Sequence, residues 1–175
     1  MLTRRALVVG AGALALAGCA TRPSSPSGQT VPITLVDAFI GRTIGTGVFR
    51  VPLAGVERRF RANLVGTSTR NSLTVVEDFF FEDGETDRLT WRFQRAGAGR
   101  WTGQREDTVG PATVTEDGRE VRLEYTADVR SRGTTTRLQF ADVIYRRADG
   151  VVINEAVVMS SGIAIGSVLF ELRKA

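Results

Sequence analysis

The chain has 175 residues, enough for one domain with a real core, and its 42% hydrophobic and 24% charged content is that of an ordinary globular protein. The formal charge of +4 rests almost wholly on arginine, Lys174 being the only lysine, and so small and scattered a surplus argues against a nucleic-acid footprint. With no histidine at all, the commonest general base, metal ligand and pH switch are missing.

Arg4 and Arg5 form a positive n-region ahead of the apolar run from Ala6 to Ala17. That run falls short of the roughly 20 residues needed to span a bilayer and has the size of a signal-peptide core. It ends in Leu16-Ala17-Gly18-Cys19, which matches the lipobox read by lipoprotein signal peptidase. Leu16, Ala17 and Gly18 are the recognition residues, and the Cys19 thiol accepts diacylglycerol before cleavage. Residues 1–18 are therefore expected to leave as a signal, so that a mature chain of 157 residues and charge nearer +2 begins at lipidated Cys19. Cys19 is the only cysteine, so no internal disulfide exists, and lipidation accounts for a lone thiol in an exported chain. Thr3-Arg4-Arg5-Ala6-Leu7 also resembles the twin-arginine export motif, the alternative being a general secretory n-region that happens to carry two arginines.

Each buried acyl methylene contributes about 0.8 kcal/mol, and two or three chains of the palmitate class make attachment effectively permanent. Ala20, not aspartate, follows Cys19, so the expected destination is the outer membrane, with the domain facing the periplasm. Residues 19–32, rich in Ser, Thr, Pro and Gly, read as a flexible tether, and residues 33–175 as the folded domain.

Almost everything in that domain alternates apolar and polar residues with period two. Phe60, Ala62 and Leu64 share one face; so do Leu73, Val75, Glu77, Phe79 and Phe81; so do Leu89, Trp91 and Phe93. Shorter strands follow near Trp101 and over Ala112 to Thr115. Val121, Leu123, Tyr125 and Ala127 form the next face, then Leu138, Phe140, Asp142 and Ile144. Val151 to Met159 and Ile163 to Leu172 complete the set. Asp83-Gly84, Asp117-Gly118 and Asp149-Gly150 are hairpin signals, because both residue types tolerate positive φ. One helical turn is expected near Leu35 to Ile40.

Sequential short hairpins and the need to hide sheet edges predict an all-β, antiparallel, up-and-down lipocalin-like barrel of about 8–10 strands. Outward arginines and acids argue against a membrane-spanning barrel, whose outer face must be apolar.

With these segments placed, the chain resembles a bacterial lipoprotein family of unknown function, numbered 3833 among such domains. The likeness is carried by Phe39-Ile40-Gly41, Gly45-Thr46-Gly47-Val48-Phe49, Glu77-Asp78-Phe79 and Asp83-Gly84-Glu85. It continues through Trp91, Gly103, Val109-Gly110, Tyr125, Phe140, Asp142, Tyr145, Asn154, Gly162 and Phe170. The resemblance implies a periplasm-facing lipoprotein with a lipocalin-like fold and brings no established activity. The chain departs from the family pattern at Ala141-Asp142-Val143, where an acidic pair and tryptophan are expected, and at Ser160-Ser161, where a basic and an aromatic residue are expected.

Two carboxylates interrupt apolar faces: Glu77 among Leu73, Val75 and Phe79, and Asp142 between Phe140 and Ile144. A lone buried charge is costly, so each must find a partner or become neutral. The plainest resolution is a structural ion pair or hydrogen bond, to an arginine at the barrel mouth. The functional one is a ligand cavity in which Glu77 and Asp142 are polar anchors and Phe79, Trp91, Tyr125 and Phe140 form the wall. Acid–base catalysis by the pair would need a particular spacing. Phe79-Phe80-Phe81 cannot all point inward, which leaves Phe80 under a loop or on the surface.

Gly41, Gly45 and Gly47 lie in a β context and read as bends, not as a phosphate loop. Without a nucleophile elbow, dinucleotide fingerprint or metal cluster, the sequence calls for no cofactor and no enzymatic activity. The expected function is an anchored module binding a small apolar or amphipathic ligand, such as a lipid. A structural or assembly lipoprotein contacting another envelope protein is the alternative.

Overall fold

Alternation along the chain becomes alternation across a wall. The computed structural model describes residues 22–175; Leu16, Ala17, Gly18 and Cys19 lie outside them. On β4 (Ser72–Phe81), Leu73, Val75 and Glu77 are buried, whereas the residues between them are more open. The same pattern runs through β3 (Val56–Ser68), β5 (Thr86–Gly97), β6 (Arg100–Gln104), β7 (Ala112–Glu116) and β8 (Val121–Ser131). Each of these strands pairs antiparallel with the next.

β8 then pairs with β9 (Thr134–Arg147), β9 with β10 (Val152–Ser160), and β10 with β11 (Ile163–Lys174). The last strand, β11, returns to β2 (Gly41–Val51), which pairs with β3 and closes an up-and-down barrel of ten strands. Closure leaves no open edge among these ten strands. Eight strands would leave a lumen just filled by side chains; ten leave more room.

The hairpins turn where Asp-Gly pairs stand: Gly84, Gly118 and Gly150 all have positive φ, near +85°. Gly41 also has positive φ, +79°, where the chain enters β2. Gly45 and Gly47, expected to be bends, are not in the left-handed range at all. They point into the lumen opposite Ala62 and Phe60, and a Cβ on Gly47 would lie 2.3 Å from the Phe60 ring. A Cβ on Gly45 would lie 2.6 Å from Phe170. Both glycines are therefore seats for aromatic rings: what the position requires is a missing side chain, not a special backbone.

One end of the barrel is plugged. Thr34 caps the short helix α1 (Leu35–Phe39), its hydroxyl accepting from the Asp37 amide while the Asp37 carboxylate accepts from the Thr34 amide. Leu35, Ala38 and Phe39 are buried against the lumen core. The Leu35 amide, unpaired within so short a helix, donates to Glu116 Oε2 at 2.7 Å; the Trp101 indole donates to Glu116 Oε1 at 3.1 Å. At the other end of α1, Arg146 and Lys174 donate to the carbonyls of Asp37 and Ile40.

Ahead of the plug, β1 (Thr30–Val31) pairs with Arg147 and Arg146 of β9. Within the residues read as tether, Arg22 pairs with Glu124, and Ser25 bridges Glu120 and Arg122. This segment runs along the outside of β8.

The outer face is charged and cross-paired: Arg88 grips Asp78, and Arg137 grips Asp128 with two bonds of 2.8 Å. Phe80 is 43% exposed on this face, not tucked under a loop. Among the described residues no helix is long and apolar enough to cross a membrane.

Candidate functional site

Between the plug and the far mouth the ten-strand lumen is not filled. A cavity of about 100 Å³ remains, and Glu77, Phe79, Trp91, Tyr125, Phe140 and Asp142 all line it. These six come from four strands, and period-two alternation alone brings them to one space. At about 30 Å³ per water in the liquid, the cavity has room for a few waters or a small organic group.

Glu77 on β4 and Asp142 on β9 stand on opposite walls, five strands apart whichever way the barrel is traversed. Both are buried, at 6% and 5% exposure. Asp142 Oδ2 accepts from Asn154 Nδ2 of β10 at 3.0 Å. Arg105, in the loop after β6, reaches in from the mouth and is held by two bonds to Asp107, of 2.7 and 3.0 Å. Its Nη1 lies 3.7 Å from Glu77 Oε2, close enough for Coulombic attraction but too far for a hydrogen bond. The guanidinium also lies over the faces of Trp91 and Tyr125, 4.8 and 5.2 Å from their centres.

The remaining wall is aromatic. Phe60 meets Phe79 edge-on at 5.5 Å and lies tilted against Phe170 at 5.1 Å; Tyr125 stacks on Phe140 at 4.8 Å and meets Trp91 edge-on. Such pairs contribute about 0.5–1.5 kcal/mol each beyond the area they bury, so the wall is preorganised.

The electrostatics follow from this geometry. Burial pushes the Glu77 carboxyl up to about 7, with Arg105 opposing and the charges of Asp107 and Asp142 assisting. Burial likewise pushes Asp142 up to about 7, against the stabilising Asn154 amide and Arg105. Tyr125 is raised by burial and by Asp142, which keeps it a neutral phenol. For Arg105 burial disfavours the charge, but the Asp107 and Glu77 carboxylates outweigh it and hold the guanidinium protonated.

Three buried oxygens at the cavity lack a partner: Glu77 Oε2, Asp142 Oδ1 and Asn154 Oδ1. An unpaired buried acceptor forfeits about 1–3 kcal/mol. Three around one cavity is therefore a standing demand for hydrogen-bond donors. The described residues hold no group of three or more acidic or cysteine ligands that would bind a metal ion.

Reading the sequence alone misses Arg105, Asn154, Phe60 and Phe170 as members of this cluster. An arginine at the mouth is anticipated as a partner for the acids, but nothing singles out Arg105 within Gln104-Arg105-Glu106-Asp107. Asn154 is detectable as the one amide on β10, whose other residues are mostly aliphatic. A second cleft lies beside α1, lined by Thr43, Arg146 and Lys174, but both cations already donate to the helix carbonyls.

No curated protein matches the chain. A family model described as "Protein of unknown function (DUF3833)" matches residues 13–174, a span that takes in Cys19 and the whole barrel. The chain therefore belongs to the DUF3833 family.

Proposed function

We propose that this protein is a membrane-anchored, periplasm-facing lipoprotein whose barrel is a non-catalytic module binding a small amphipathic ligand in its lumen. One observation carries the binding reading: a cavity walled by packed aromatic rings into which three unpartnered buried oxygens point. Apolar walls with a few convergent polar groups are the general form of a small-molecule site. The leader ending in Leu16-Ala17-Gly18-Cys19 supports the anchored, exported part of the reading. The exposed Phe80 and the fully exposed Leu53 support a second reading, an assembly lipoprotein that acts through contact with another envelope protein.

Native mass spectrometry of the full-length protein extracted from membranes tests the binding reading. The expected result is a co-purifying small molecule that Phe79→Trp, which fills the cavity, displaces. A bare protein mass under gentle extraction, unchanged by that substitution, would overturn it.

A further inference from the structure

We propose that the ligand presents a small cationic head, a protonated amine, to Glu77 and Asp142, with its apolar part against Phe60, Phe79 and Phe170. This inference rests on the binding reading above and names the chemistry that site selects.

The donors and acceptors of the lumen do not balance. Among the described residues the one cation lining the lumen, Arg105, is engaged by Asp107 and attracted to Glu77. Among the described residues, every fully buried side-chain atom that lacks a partner at the cavity is an acceptor. An ammonium has three donors and no acceptor, and so complements Glu77 Oε2, Asp142 Oδ1 and Asn154 Oδ1 one for one. A carboxylate head, as in a fatty acid, would add acceptors to acceptors and a negative charge beside two acids.

Charge points the same way. Glu77 from β4, Asp142 from β9 and Asp107 from the β6–β7 loop face one cation, Arg105; Tyr125 from β8 is neutral, and Asn154 from β10 carries no charge. With both opposed acids ionised the cluster holds two excess negative charges, which a bound cation would offset. Size restricts the choice to a short chain.

The test compares n-butylammonium, butyrate and 1-butanol, which share a four-carbon tail, by tryptophan fluorescence titration of the full-length protein in detergent; Trp91 in the cavity wall is the reporter. Butylammonium is expected to bind at least about tenfold more tightly than the other two, the scale of a charge-assisted hydrogen bond. Its affinity should rise from pH 6 to pH 8, because ligand-free Glu77 and Asp142 ionise near 7 while the amine stays protonated. The paired substitution Glu77→Gln with Asp142→Asn, which keeps shape and polarity, should bring butylammonium down to the level of butanol. Equal binding of butanol and butylammonium, or a preference for butyrate, overturns the cationic head and leaves an amphipathic site standing. Failure of all three to bind overturns both readings and leaves a lumen filled by water.

Discussion

Glu77 and Asp142 face one cavity from opposite walls of the barrel, and neither is neutralised by a hydrogen-bonded cation. Each is therefore easier to protonate folded than unfolded. For Glu77 the ordinary value of 4.5 rises to about 7, and for Asp142 3.8 rises to about 7. Between those limits the folded state keeps protons that the unfolded chain releases, so stability falls as pH climbs from about 4 to about 7. Asp83 and Asp149, held down to about 2 chiefly by Arg58 and Arg147, act oppositely: their contribution is lost as pH falls from about 4 toward 2.

The expected profile has its maximum on the acid side of neutrality. Urea titrations at pH 5 and pH 8 should show Glu77→Gln gaining on the parent protein at the higher pH. Each unit of raised pKa corresponds to about 1.4 kcal/mol. An identical pH dependence in parent and variant would show that Glu77 is not held protonated.

How much of this was legible beforehand depends on which residues obey a period. The inward faces of β3, β4, β5, β8 and β9 follow directly from alternation, and the Asp-Gly hairpins and helical turn stand where the sequence puts them. Glu77 and Asp142 were visible because they break an apolar period. Arg105 was not, since it belongs to a loop, where side-chain direction is set by tertiary contacts and not by spacing. Gly45 and Gly47 read as bends in the sequence and are ring seats in the structure, for a related reason. A glycine in a strand marks either a bend or a close approach, and only the Phe60 and Phe170 rings across the sheet decide which.

The same rings supply a prediction. Gly47→Ala puts a methyl into the space Phe60 occupies, and should destabilise the barrel by about 1–3 kcal/mol, the usual cost of overpacking. Adding Phe60→Leu should recover part of that loss, giving a favourable coupling in a double-mutant cycle read by urea denaturation. A bend at Gly47 would show no such coupling, because shortening its neighbour leaves the backbone demand unchanged.

Glu116 should govern the plug. Its two oxygens hold the Leu35 amide and the Trp101 indole, so Glu116→Ala leaves two buried donors without partners, at roughly 1–3 kcal/mol each. Glu116→Gln keeps one acceptor and should cost less. Hydrogen exchange would localise the effect: faster exchange at Leu35 and Ala38 with the barrel strands still protected is the expected signature. Uniform loss of protection across β2 to β11 would mean that α1 is not a separable plug.

The reading of residues 1–19 makes its own demand on the whole cell. If Cys19 is the lipidated N-terminus, Cys19→Ser blocks acyl transfer, and with it cleavage by a peptidase that requires the modified thiol. The variant should keep its leader, migrate about 18 residues heavier on gels and incorporate no labelled palmitate, whereas the parent protein incorporates it and fractionates with membranes. Because Cys19 is the only thiol, no disulfide or second acylation site confuses the result. The barrel fold gives the control: with no cysteine in residues 33–175, Cys19→Ser leaves the domain's stability unchanged, so a misplaced variant is not a misfolded one. Palmitate incorporation that persists in the variant would show that the lipobox reading is wrong.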